Sequence, residues 1–517
     1  MRLFSMRSGR ALARLVHTGA AFAAAIAIAG CGNSYRPVVT PINPSGPASQ
    51  ATSYAVVVSA PSVNSGVATI IDWSGDTIMA YAPIGPGPLN FVLDESSAEG
   101  YTVNRDGTMT NFPVSTSLQA KSVIYITLSP NANPVNLTAP SSGLWVTDLN
   151  GNVAEVFQGS PETSKLPIPV APTPVMIAGA PTPQGQREYA VAQNFTDPLN
   201  GISCNTAPSS QVNGVVTPIE ISSFTADTPP INVGKCPVYA VQTPDLRRLF
   251  VLNRGDDTIS VINTVNNAID SCTPFQNQSG QWVTCHPSIQ LPAGSGPVFA
   301  EYNPTRQQLI VANYDGGTIS VIDVPLDEYG NDANTYVNGT CSTYAACGAV
   351  NGGFGTIHTI KVGNTAKPYP ASVTALYDGS RAYSANQGDD SGTGNGTVSV
   401  VNLSSYTVEK TLAVVGHPRT VVSTQNSTFA KVYAASPDSP YVTVIKDTGT
   451  SSDAVDTTIL VEGKVVDVRV TSQDGNSGNN AFYSSRTPGY GQPCSLPPNS
   501  SYWTTHPMSL AACQQIP

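Results

Sequence analysis

Between Cys236 and Lys446 one short pattern recurs three times, and that recurrence limits the possible folds more than any other feature of the chain. Residues 249–263 read LFVLNRGDDTISVIN and residues 309–323 read LIVANYDGGTISVID. A third copy, AYSAN at 382–386, takes an insertion and resumes as GTVSVVN at 396–402. An apolar run, an Asn/Asp/Gly turn and an alternating Thr-Ile-Ser-Val-Ile run make a β-hairpin. A hairpin that returns at a long period means an array of like units.

Composition agrees with many short strands joined by many turns. Of 517 residues only 11% are charged, while Gly (44) and Pro (43) are abundant, a mix that disfavours helices. No helical amphipathic period persists beyond a couple of turns. The expectation is an all-β chain whose repeats, spaced every ~45–70 residues, close into one large array.

The first 30 residues read as an export signal. Arg2, Arg7, Arg10 and Arg14 precede an Ala/Ile-rich run that ends Ile28-Ala29-Gly30-Cys31, short for a membrane-spanning helix. Small residues before a cysteine resemble the lipobox of bacterial lipoproteins, which implies lipidation of Cys31 as the first mature residue. Gly32 after it, rather than Asp, implies outer-membrane sorting. Residues 31–53, rich in Pro, Ser, Thr and Asn, read as a flexible tether. Without the signal, 20 basic side chains face 34 acidic ones, a net charge of −14. That balance argues against nucleic acid as a partner and against electrostatic docking on anionic lipid. The expected membrane contact is through the lipid anchor.

Besides Cys31 there are eight cysteines, an even number that in an exported chain implies disulfides. Cys272 and Cys285 flank one insertion, Cys341 and Cys347 lie within another, and Cys494 and Cys513 bracket a C-terminal tail at 487–517. Cys204 and Cys236 remain as the fourth pair. No CxxC or Cys/His cluster supports zinc, so no metal is expected.

Phe250-Val-Leu-Asn253, Ile310-Val-Ala-Asn313 and Tyr383-Ser-Ala-Asn386, together with the pieces that precede strand a, Gly-x-x-Pro at 234–237 and 294–297 and Gly416-His417-Pro418, resemble the signature of YVTN-repeat β-propeller proteins. In such a ring each blade is a four-stranded antiparallel meander running from an inner strand a to a rim strand d. Over residues 54–486 the resemblance implies a single closed propeller. Strand b falls near residues 54–58, 101–103, 144–147, 189–192, 250–253, 309–313, 382–386 and 432–435, so eight blades are favoured, with seven as the alternative. The first unit lacks a strand a, and Val465-Val466-Asp467-Val468-Arg469-Val470 is the candidate to supply it from the far end, closing the ring without exposed edges. Insertions are expected after strand c at 270–282 and 325–353, and between strands b and c at 194–213.

Strand alternation places the b–c and d–a turns on one face, where propeller ligands usually sit. That face collects Arg254, Asp256, Asp257, Asp315, Asp389 and Asp390 from hairpins, and Lys235, Lys367, His417 and Arg419 from d–a turns. It reads as a mixed-charge recognition surface with room for a cation on the carboxylates. The alternative is that Asp, Asn and Gly stand there because tight hairpins need them. Arg254-Gly255-Asp256 spells an adhesion tripeptide that the repeat itself explains. Hydrolase, zincin and phosphate-loop motifs are missing, so no catalytic residue is assigned and no cofactor is expected. The expected function is a non-catalytic binding or scaffold module of the cell envelope, for a protein or glycan partner. The alternative is a propeller enzyme, lactonase-like or quinone-dependent dehydrogenase-like, working at the mouth of the axial channel.

Overall fold

The computed structural model describes residues 53–471, except 95, 140–142, 152, 159–162, 165–166, 180–186, 195–211, 244–245, 272–274, 277–281, 284–285, 325–353, 389–390, 393, 425–429 and 448–452. The signal, tether and tail assignments therefore lie outside the described residues, as do Cys31, Cys204, Cys272, Cys285, Cys341, Cys347, Cys494 and Cys513.

Eight antiparallel meanders form eight blades. Their inner strands are Lys464–Val470, Pro88–Leu93, Pro134–Thr138, Pro174–Gly179, Pro237–Gln242, Pro297–Asn303, Pro370–Ala375 and Thr420–Ser423, for blades 1 to 8 in that order. Each packs on the next and the eighth packs on the first, so the ring is closed. Closure uses the C-terminal strand as expected: Lys464–Val470 pairs antiparallel with Tyr54–Ser62, Val57 opposite Val468. The second unit, degenerate in sequence, is a regular blade of Pro88–Leu93, Glu99–Asn104, Thr108–Pro113 and Ile124–Thr127. One expectation needs correcting. The insertion in blade 5 does not lie between strands c and d but interrupts strand d, because Ala268–Ile269 and Ser288–Gln290 both pair with Thr258–Asn263.

The repeat's signature asparagine is a structural clamp. Asn253, Asn313 and Asn386 end strand b fully buried. The Asn253 side-chain amide donates to Thr258 Oγ1 (3.0 Å) and Ser260 Oγ (2.9 Å) on strand c. Asn313 does the same to Thr318 and Ser320, and Asn386 to Thr397 and Ser399. Thr-x-Ser therefore recurs because the asparagine two strands' width from the axis needs two acceptors in a dry place. The serine in turn accepts the N–H of a glycine leading to strand a: Gly234 on Ser260 at 3.2 Å, Gly363 on Ser399 at 2.9 Å. A Cβ on Gly234 would lie 2.6 Å from Asn253 Nδ2, so this position is glycine for space. Asn253→Ala strands two hydroxyls and is expected to destabilise the ring by about 2–3 kcal/mol, read from the urea midpoint; a loss of a few tenths would contradict the clamp.

Blades are also tied to their neighbours. The open edge of an inner strand offers N–H groups toward the axis, and side chains of the preceding blade accept several of them. Asn136 Oδ1 takes Ile177 N (2.9 Å), Glu301 Oε1 takes Ala375 N (2.8 Å), and Ser372 Oγ takes Val421 N (3.1 Å). At the seam between blades 8, 1 and 2 the tie is ionic, through Asp467 and Arg469.

Glu188, on strand b of blade 4, is fully buried, and among the described residues neither of its carboxyl oxygens has a hydrogen-bond partner. It lies over Gly179, the residue opposite it, where a Cβ would collide with the carboxyl. Burial pushes this carboxyl well above its ordinary value. A carboxyl raised in the folded state holds its proton there and releases it on unfolding. Stability is therefore intact below the ordinary glutamate value and falls as pH rises toward the raised one. Glu188→Gln is expected to remove a slope of about 1.4 kcal/mol per pH unit across that window, measured by urea unfolding from pH 5 upward. An unchanged slope would show that Glu188 is ionised in the fold.

Candidate functional site at the channel mouth

Strand register fixes which residues are equivalent at the mouth of the b–c/d–a face. One residue of each blade stands at the lip by register, just ahead of the inner strand in blades 2 to 7, three residues ahead of it in blade 8 and at its first position in blade 1: Gly87, Asn133, Thr173, Cys236, Gly296, Tyr369, His417 and Lys464, taking blades 2 to 8 and then blade 1. In blades 2 to 7 the carbonyl of this residue accepts an N–H from the turn after strand b. The pairs are Arg105 to Gly87 and Leu149 to Asn133 (3.1 Å each), and Gln193 to Thr173, Arg254 to Cys236, Tyr314 to Gly296 and Gln387 to Tyr369 (3.0 Å each).

Blade 8 breaks the pattern. The donor position is Pro437, which has no N–H, and the next residue, Asp438, holds the lip instead. Asp438 Oδ1 accepts the backbone N–H of His417 (2.9 Å), and Oδ2 lies 2.6 Å from His417 Nδ1. His417 is thus not a solvated turn residue but one half of a His–Asp pair, with side-chain exposures of 22% and 15%. Burial pushes the Asp438 carboxyl up, but the ring and backbone N–H groups of His417 outweigh that and hold it below its ordinary value. Two residues on, Arg419 Nη2 donates to the Val466 carbonyl (2.5 Å), crossing from blade 8 to blade 1. Beside it a small pocket is lined by Pro437, Arg419, Lys464, Val465, Pro88 and Leu89, among others. Blades 8 and 1 therefore bring an oriented imidazole and two cationic side chains to one side of the mouth, and blade 2 adds Pro88 and Leu89 to the pocket lining.

The other residues singled out from sequence are placed as follows. Arg254, nearly buried, grips Asp315 of the next blade through Nε to Oδ2 (3.0 Å) and Nη2 to Oδ1 (2.9 Å). Asp256 accepts from Lys235 N (3.0 Å) and Thr258 Oγ1 (2.7 Å). Asp257, at φ 56°, accepts from Gly294 N and Gly296 N, both 2.7 Å. These carboxylates fasten turns and blades together, so the Arg254-Gly255-Asp256 tripeptide is not offered to solvent as a unit. Lys367 is exposed. Asp389 and Asp390 lie outside the described residues. Cys236, buried at φ 51°, is disulfide-bonded, its partner lying outside the described residues. Among the described residues no group of three or more His, Cys, Asp or Glu side chains could hold a metal ion.

Sequence reasoning named His417 and Arg419 but missed Asp438, Lys464 and Pro437. The available signal was the register: Ser436-Pro437-Asp438 stands where the strong copies read Asn-x-Gly or Asn-x-Asp.

No family model matches the chain, and no curated protein matches it. Solved structures do. A putative 6-phosphogluconolactonase from Bacteroides fragilis is 14% identical, over 82% of this chain and 99% of that one, with a TM-score of 0.47. The periplasmic gluconolactonase of Pseudomonas aeruginosa is 12% identical over 81% and 99%, TM-score 0.46. Apo AztD from Citrobacter koseri is 13% identical over 81% and 97%, TM-score 0.48. At these values the likeness concerns the ring alone. The expectation of a non-catalytic scaffold module is nevertheless corrected: neighbours of this ring are named as lactonases. The physical reason lies in the turns, where most of the charges read as a recognition surface are consumed in holding blades together.

Proposed function

We propose that this chain is a propeller hydrolase of the lactonase type, acting on a sugar lactone at the channel mouth between blades 8, 1 and 2. The observation that carries the reading is the His417–Asp438 pair at 2.6 Å beside a pocket lined by Arg419 and Lys464. A carboxylate on Nδ1 orients an imidazole to move a proton at Nε2. In the proposed reaction His417 takes a proton from water as the water oxygen bonds to the lactone carbonyl carbon. Arg419 and Lys464 face the negative charge that develops on the carbonyl oxygen. The ring C–O bond then breaks, the leaving alkoxide takes the proton back, and a hydroxy acid results. The name gluconolactonase on one similar ring suggests aldonolactones as the first substrates to try. Export, with lipid attachment at Cys31, belongs to the same proposal and rests on the sequence around that cysteine.

The test is acid release in a pH-stat from glucono-1,5-lactone and a panel of other lactones, against the spontaneous rate. Saturable acceleration of at least one supports the reading; spontaneous rates across the panel would overturn it.

A further inference from the structure

We propose that Asn395 is a positioning residue for His417: it seats the backbone that carries the imidazole, and the insertion in blade 7 delivers it there. The inference rests on the lactonase reading for the reaction, while the seat itself is read from hydrogen bonds.

The third copy of the repeat is the one that is interrupted. In blades 5 and 6 four residues, 254–257 and 314–317, join the clamp asparagine to the threonine of strand c. In blade 7 the stretch is ten residues, 387–396. A hairpin does not need that length, and the far end of the insertion has a definite contact. Ser391 N donates to the Asn395 carbonyl (3.0 Å) and Asn395 N to Ser391 Oγ (3.2 Å), which closes the loop on itself. The Asn395 side chain then reaches blade 8, where its Oδ1 accepts Gly416 N at 2.9 Å. Gly396 N donates to the Gly416 carbonyl at 2.8 Å.

The two peptide groups ahead of His417 are thus each held from both sides. In the first, the Gly416 N–H goes to Asn395 of blade 7, and the Val415 carbonyl accepts from Ser436 Oγ of blade 8 (2.7 Å). In the second, the Gly416 carbonyl takes Gly396 N of blade 7, and the His417 N–H goes to Asp438 Oδ1 of blade 8 (2.9 Å). Gly416 is left-handed, φ 73°, and a Cβ on it would lie 2.6 Å from Asp438 Oδ1. Only glycine lets the segment lie this close to the carboxylate. Packing of a proline beside the lip on a glycine of the preceding blade is common to the ring, as with Gly317 and Pro368 or Gly396 and Pro418. Asp257 of blade 5 holds the lip of blade 6 through Gly294 N and Gly296 N, but Gly296 has no side chain to orient. At blade 8 the residue so held carries the imidazole. A general base works only when fixed to within about 0.5 Å of its productive place, and Asn395 supplies blade 7's side-chain share of that fixing.

The experiment uses the mature chain with isotopically labelled histidine. The Nδ1–H proton of His417, identified by its loss in His417→Ala, is expected far downfield in wild type, as a short bond to a carboxylate dictates. In Asn395→Ala it should broaden by exchange with water, and kcat for a responsive lactone should fall about 10–100-fold with KM within about twofold. Asn395→Asp keeps an acceptor in the same place, so the signal should be retained and kcat should stay within about threefold of wild type. An unchanged kcat or an unchanged signal in Asn395→Ala would overturn the proposal. Equal losses in the Ala and Asp variants would overturn it too, since a loosened fold rather than a lost acceptor would then be the cause. A signal that depends on Asn395 in a protein that hydrolyses no lactone would keep the seat and sink the lactonase reading. Lactone hydrolysis that is indifferent to Asn395 would do the reverse.

Discussion

Replacing Arg469 by alanine is expected to destabilise the ring by about 3–5 kcal/mol. Arg469 is fully buried on the strand that closes the ring, with Nη2 2.7 Å from Asp467 Oδ2 on the same strand. Its Nε donates to the Phe91 carbonyl of blade 2 (3.1 Å), while Asp467 Oδ1 accepts from Thr420 Oγ1 of blade 8 (2.8 Å). One ion pair therefore stitches the last strand to both neighbouring blades. Removing the arginine alone leaves a carboxylate in a dry seam without its counter-charge, and that is where the large effect comes from. The double variant Asp467→Leu with Arg469→Met removes both charges and should lose much less than the sum of the single changes. Urea unfolding of wild type, Arg469→Ala, the double variant and its two single variants measures this. A loss under about 1 kcal/mol for Arg469→Ala would mean that the pair does not hold the seam.

His417→Ala is expected to lower kcat/KM for the responsive lactone by about 10²–10⁴-fold, the usual contribution of a positioned general base. Asp438→Asn should lower it too, because an amide can neither fix the imidazole tautomer nor stabilise the imidazolium. The pair also has a signature in stability. A carboxyl held below its ordinary value adds stability that is present above that value and is lost as pH falls through the depressed one. In His417→Ala the side-chain hydrogen bond and the imidazole charge that depress Asp438 are gone, while the backbone N–H bond stays, so its acid unfolding should begin at higher pH than in wild type. A variant that loses activity without this shift would separate catalysis from the pair; one that keeps full activity would remove His417 from the mechanism.

The ring was legible in sequence because the forces that build it are local and repeated. Asn253 with Thr258 and Ser260, copied at Asn313 and Asn386, is a hairpin clamp whose period reveals the blades. Even the closing strand could be found, since Val465 to Val470 is an apolar run of strand length lacking a partner nearby in sequence. The mouth was harder to read. Asp256 and Asp257 carry charge on the expected face, yet their oxygens are taken by backbone N–H groups and the Thr258 hydroxyl, and composition does not distinguish a capping aspartate from a ligand-binding one. Asp438 and Lys464 share a lip only once strand register is known. They lie in blades 8 and 1, where the repeat is weakest, and Lys464 comes from a strand that belongs to the first blade. Departures from the repeat, rather than the repeat itself, mark the site: Pro437 stands in place of an N–H donor, and Asp438 after it takes the lip.

The most direct measurement is a crystal structure of the mature protein with D-gluconate bound. The expected result is the carboxylate against Arg419 and Lys464, within reach of the His417 ring, on the b–c/d–a face between blades 8, 1 and 2. Gluconate on the opposite face, or bound only at the rim strands, would contradict a functional centre at this mouth.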